Sequence, residues 1–103
     1  MNAHIDIAPD KIAAFSKRWL ITELALFGSV LRDDFGPASD IDLLVRFDSQ
    51  ARHTLLDIAR MENELSRMLG RDVDLVEHTA VEKSRNYIRR KAILESAETI
   101  YAA

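Results

Sequence analysis

Residues 24–47, LALFGSVLRDDFGPASDIDLLVRF, restrict the fold of this chain more than any other stretch. Two apolar runs flank a segment rich in Gly, Pro, Ser and Asp, and the pattern predicts strand, tight turn, short helix, loop, strand. The second run, IDLLVRF, alternates as a strand should. Asp40, Asp42 and Leu44 fall on one face, and Ile41, Leu43 and Val45 on the other, which reads as core.

The polar residues of this stretch form one pattern: Gly28-Ser29, ten residues, then Asp40-Ile41-Asp42. Glycine lets the chain turn sharply and leaves room for a ligand beside the backbone. Ser29 suits the N-cap of a helix over about residues 30–33. A helix start presents free N–H groups and the positive end of a dipole, so it attracts anions such as a triphosphate. Two carboxylates on one strand face repel each other and lose hydration when covered. A divalent cation relieves both costs. Oxygen ligands of this kind suit Mg²⁺, which also favours substrate phosphates.

A third carboxylate comes from residues 71–77, RDVDLVE, which read as another short strand with Asp72, Asp74 and Val76 on one face. If this strand lies beside the IDLLVRF strand, Asp74 or Asp72 completes the cluster. Three carboxylates and phosphate oxygens can hold two metals about 3.5–4 Å apart for in-line displacement at phosphorus.

The motif GSVLRDDFGPASDIDLLV resembles the signature of the DNA polymerase beta-like nucleotidyltransferase superfamily, GS-x10-DxD, and in particular the minimal nucleotidyltransferase domain. The likeness continues through LGRDVDLVE and into RNYIRRKAILESAETIY, which resembles the family's final helix. It implies an α/β fold with a small mixed sheet in the palm-like arrangement and three principal strands. It assigns the third carboxylate to Asp74. It also implies a nucleotide-binding Gly28-Ser29 with Arg32 nearby, catalytic and metal-binding Asp40, Asp42 and Asp74, Mg²⁺ as cofactor and ATP as substrate. By residue type alone, Arg32 suits a phosphate or acid contact and a salt bridge equally. One departure is Asp33-Asp34 after Arg32, where the family often has Gly. Those two negative charges must point away from a triphosphate.

Length and composition set the bounds. At 103 residues, residues 1–103 are expected to form one domain with a small core, which association with a partner or a homo-oligomer would help. There is no cysteine, hence no disulfide framework or thiolate zinc site, and a cytoplasmic location is expected. No apolar run nears the ~20 residues of a membrane span, so no membrane partner is expected. The start, MNAHIDIAPDK, lacks the basic and apolar regions of a signal peptide. Net charge of −3 argues against direct nucleic-acid binding.

The flanks read as helices. Pro9 and Asp10 suit a first turn, and Ile12, Phe15 and Trp19 recur as a core stripe, with Trp19 packing rather than stacking on a base. Thr54 and Asp57 resemble a capping box, followed by a stripe of Ile58, Met61, Leu65, Met68 and Leu69 and a stop at Gly70. Thr79 and Glu82 resemble a second box, opening a long helix to about residue 102 and giving the order α-β-α-β-α-β-α. Lys83, Arg85, Arg89, Arg90 and Lys91 make a basic patch with no acid among residues 83–91. It serves either as a solvated face or to attract ATP phosphates or an acidic partner surface. His4, His53 and His78 lack metal-ligand spacing.

A catalytic core leaves little of 103 residues for an acceptor domain, so the acceptor is expected to be a separate macromolecule. Minimal nucleotidyltransferases of this kind resemble antitoxins paired with HEPN ribonuclease toxins. The resemblance implies AMP transfer from ATP to a tyrosine of the toxin. Two alternatives are a non-catalytic antitoxin that acts by contact and nucleotidyl transfer to a small hydroxyl compound.

Overall fold

Pro9 opens the first helix because its missing N–H costs nothing there and its fixed φ suits helical backbone. Helix α1 covers Pro9–Arg18, with Asp10 in its first turn and Lys17 and Arg18 in its last, each at the favourable end of the dipole. The structure, a computed structural model, describes residues 7–28 and 40–103. Ile12 and Phe15 are buried. Trp19 packs half-buried against the same core, as expected, and donates its indole N–H to Glu64 Oε2 at 3.0 Å.

Four strands follow: β1 (Ile21–Phe27), β2 (Ile41–Phe47), β3 (Val73–Glu77) and β4 (Glu98–Ala102). Their order in the sheet is β3-β2-β1-β4. β1 is antiparallel to β2 and β4, whereas β2 and β3 are parallel, so the sheet is mixed. A parallel pair needs a crossover. Helix α2 (Leu55–Leu69) supplies it between β2 and β3.

α2 starts where the sequence says it should. Thr54 Oγ1 accepts from Asp57 N at 3.2 Å, and Asp57 Oδ2 accepts from Thr54 N at 2.9 Å. The backbone bond from Thr54 is the main reason that Asp57's carboxyl is held below the usual carboxylate range. Gly70 closes the helix at φ 71°, a left-handed conformation that glycine adopts without penalty.

The two sheet faces differ. Leu24, Leu26, Ile41, Leu43, Val45, Val73 and Leu75 form the main core with Ile12 and Phe15 of α1 and Met61 and Leu65 of α2. The opposite face carries a smaller cluster of Ala25, Phe27, Leu44 and Val81, with Val76, Ile93, Leu94 and Ala97 packed against it. Burial of a Leu or Met side chain contributes about 1.5–3 kcal/mol, so the first face carries most of the stability.

The end of the chain departs from expectation. The long helix is two short ones, α3 (His78–Glu82) and α4 (Tyr87–Ser96), followed by the strand β4. No Thr79 capping box forms; α3 begins at His78 with no side-chain cap. Helix breaks at 83–86 because Ser84 and Asn86 offer the backbone local alternatives. Asn86 N donates to Ser84 Oγ at 3.3 Å, and Asn86 Oδ1 caps α4 by accepting from Arg89 N at 3.1 Å. Thr99, Ile100 and Tyr101 are strand formers, and the outer edge of β1 is there to pair with them. The sheet therefore gains a fourth strand beyond the three principal ones expected. The short helix over residues 30–33 and the loop before Asp40 lie outside the described residues.

Candidate active site

The second sheet face, read along the strands, has three levels. At the first, Phe27 is paired with Asp42, and Asp42 with Asp74. Register partners on adjacent strands point to the same side, and the strand axes lie about 4.8 Å apart. The parallel β2–β3 pairing thus sets the two carboxyl-bearing residues side by side, Asp42 half-buried and Asp74 exposed. Strand alternation left Asp72 and Asp74 open for the third carboxylate; Asp74, the one the family resemblance implies, is in register with Asp42.

Gly28 closes this level. Its φ is +78°, and a Cβ built there would stand 2.5 Å from Asp42 Oδ2. The glycine is needed both for its backbone conformation and for the space it leaves. What fills that space is the carboxylate of Asp42 itself. Asp40 precedes β2 and is exposed. Asp72 is exposed as well, and its carbonyl accepts from Ile41 N at 2.8 Å. Ser29 and Arg32 lie outside the described residues.

The donor set suits Mg²⁺. That ion is bound through one or two carboxylates plus substrate phosphates and water rather than by an all-protein cage. Among the described residues no three His, Cys, Asp or Glu side chains converge on a metal position. Two carboxylates in register beside a glycine turn match the Mg²⁺ pattern.

At the second level Ala25, Leu44 and Val76 stand in a row, covered by Val81 of α3 and by Ile93, Leu94 and Ala97. A cavity of about 180 Å³ opens between α3 and α4 above Val76, lined also by Ser84, Arg89 and Arg90. Val76 is two residues from Asp74, about 6.6 Å along the strand. At the third level, Arg46 Nη2 donates to Glu82 Oε1 at 3.1 Å, and Arg46 Nε lies 3.6 Å from Glu23 Oε1. Arg46 Nη2 also lies 3.2 Å from His78 Nε2, while His78 Nδ1 contacts Glu82. A neutral ring with its proton on Nδ1 satisfies both contacts. This network closes the face at the end away from the aspartates.

Sequence reasoning passed over Arg46, Glu62 and Ser66. Glu62 and Ser66 are one turn apart on α2, and both bond the outer edge of β3. Their spacing, a polar pair beside the Met61 and Leu65 stripe, was the available signal.

The sequence profile of a family described as "Nucleotidyltransferase domain" matches residues 10–98. A Methanocaldococcus jannaschii protein named "Putative protein adenylyltransferase" is 34% identical over 61 residues, 59% of this chain. The aligned part is 63% of that relative, so this chain spans less than two thirds of its length. A solved structure described as "Structure of putative minimal nucleotidyltransferase" superposes with a TM-score of 0.65 at 31% identity, covering 86% of this chain and 85% of the other. A chain of a solved structure described as "tri-AMPylated Shewanella oneidensis HEPN toxin in complex with MNT antitoxin" shares the fold. Its TM-score is 0.60 at 18% identity, over 92% of this chain and 70% of the other.

Proposed function

Because this chain belongs to the nucleotidyltransferase domain family, we propose that it moves AMP from ATP to a tyrosine hydroxyl of a cognate HEPN ribonuclease toxin and so acts as its antitoxin. The observation that carries this reading is the register of Asp42 with Asp74 beside the Gly28 turn. The described relatives support the class of reaction: one is named for protein adenylylation, and another shares this fold while bound to an AMPylated toxin.

In this reading Asp42 and Asp74, with Asp40 beside them, hold Mg²⁺, and Gly28-Ser29 and Arg32 receive the phosphates. Bound there, the ion supplies Lewis-acid stabilisation of charge on the transferring and leaving oxygens. Asp74, the more exposed carboxylate, takes the proton of the attacking hydroxyl. The tyrosine oxygen bonds to the α-phosphorus, the bond from that phosphorus to the bridging oxygen breaks, and pyrophosphate leaves with the electron pair.

A protein acceptor suits the surface beside this level. Tyr87 and Ile88 of α4 are 60% and 80% exposed, and no residue of α4 is fully buried. Lys83, Arg85, Arg89 and Lys91 have no ion-pair partner among the described residues. An acidic surface with an apolar anchor would complement them.

The test is to incubate the protein with Mg²⁺, ATP labelled at the α-phosphate, and the product of the adjacent reading frame. Label on that product is the expected result. Stable binding without label would replace this reading with neutralisation by contact alone. Label appearing only on an added small hydroxyl compound would redirect it to small-molecule transfer.

A further inference from the structure

Asp74 sits on an edge strand, and edge strands have one ladder instead of two. On β3 the even-numbered backbone groups face β2, as the bond from Ile41 N to the Asp72 carbonyl marks. The N–H groups of Val73 and Leu75, immediately either side of Asp74, therefore face outward. Left alone they would be open to water or to another strand.

Both are taken by α2. Val73 N donates to Ser66 Oγ at 3.0 Å, and Leu75 N donates to Glu62 Oε2 at 2.8 Å. Ser66 Oγ in turn donates to the Glu62 carbonyl at 2.7 Å, which orients its lone pairs toward the strand. The geometry is matched. Residues four apart on a helix are separated by about 6.0 Å along the axis, and outward N–H groups two residues apart on a strand by about 6.6 Å. The Glu62 bond joins a carboxylate to a neutral N–H, and such bonds are roughly twice as strong as neutral ones.

We infer that Glu62 and Ser66 are positioning residues for the transfer site: by gripping the backbone on both sides of Asp74, they keep its carboxylate level with that of Asp42. This rests on the reading of Asp74 as a metal-binding carboxylate. Neither residue faces the proposed substrates; the effect passes through the Val73 and Leu75 amides. The same helix carries an internal comparison. Glu64 bonds Trp19 and pairs with Arg18, and so ties α2 to the end of α1 on the far side of the sheet. Loss of that tie weakens the fold without releasing β3.

The experiment compares E62A, E62Q, S66A, E64A and D74N. Three quantities are read: thermal midpoint, amide exchange at Val73 and Leu75 by NMR, and Mn²⁺ affinity by calorimetry with a non-hydrolysable ATP analogue present. E62A and S66A should speed exchange at those amides and weaken Mn²⁺ binding about tenfold, the lower end for groups that orient a metal ligand. E62Q keeps a carbonyl acceptor and should recover most of that affinity. E64A should lower the midpoint and leave Mn²⁺ affinity unchanged. Unchanged Mn²⁺ affinity in both E62A and S66A would overturn the inference, as would an equal loss in E64A. S66A, the milder change, keeps the test alive if E62A fails to fold. D74N separates the two levels of argument: wild-type Mn²⁺ affinity in that variant would remove the assignment of Asp74 itself, whereas a loss in D74N with none in E62A and S66A removes only the positioning role.

Discussion

Gly28 is the most constrained residue of the described site. It combines a positive φ with a neighbour that leaves no space for a methyl group: the Asp42 carboxylate would be 2.5 Å from any Cβ. Gly28→Ala should therefore cost about 1–2 kcal/mol from the left-handed backbone alone. It should also displace Asp42, so transfer activity should fall further than the thermal midpoint implies. The companion change, Asp42→Asn, keeps the side-chain shape and removes one charge. It should leave the denaturation midpoint near that of the wild type and reduce AMP transfer by at least about a hundredfold. Retained transfer in that variant would refute the role given to Asp42. Gly28, Asp40, Asp42 and Asp74 were all legible as candidates, because glycine turns and paired acids on a strand are local patterns. Sequence alone presented Gly28 as a place for a ligand; its observed neighbour is a carboxylate from the strand paired with β1.

Among the elements, α2 was legible nearly residue for residue. Its capping box and its Met61–Leu65 stripe each join residues about one turn apart, and its Gly70 stop is a single-residue signal. Thr54→Ala should cost about 1 kcal/mol at neutral pH, measured by chemical denaturation. The pH dependence has a definite sign. Asp57's pKa is lowered in the folded chain, chiefly by the bond from the Thr54 backbone. Its contribution is therefore complete above the ordinary carboxylate value of about 4 and is lost as pH falls through the lower folded value. Thr54→Ala removes one of the bonds behind that shift, so its stability should decline less steeply over the same acid range. The last quarter of the chain was the least legible. A basic run of helix formers continues the helical pattern past Ser84 on paper. The break and the β4 strand depend on an open edge of β1, which no local pattern encodes.

For the molecule as a whole, the sheet separates two tasks. One face holds α1 and α2 over the main core. The other runs from the Asp42–Asp74 level through an apolar level to the Arg46–Glu82 network. α4 lies over the middle of that second face and turns Tyr87 and Ile88 outward. An acceptor protein docked there would be one level from the transfer site. Replacing Lys83, Arg85 and Lys91 together by Glu should weaken association with the acceptor by about tenfold or more, mainly through the on-rate, and should reverse the salt dependence. ATP affinity should not change. A drop in ATP affinity with acceptor binding intact would reassign the patch to the triphosphate. Among the described residues no helix is long and apolar enough to cross a membrane.

The alternation of IDLLVRF, the caps of α2 and the identity of the acidic residues follow from neighbours along the chain, since propensity, periodicity and capping act over a few residues. Three features came from contacts between distant segments: the register that sets Asp74 beside Asp42, which strand alternation left open and only the family resemblance implied, what occupies the space beside Gly28, and the grip of Glu62 and Ser66 on β3. Each depends on strand register and on which helix lies over which edge. Those are settled by burying both faces of one sheet at once, a balance that a linear pattern does not carry.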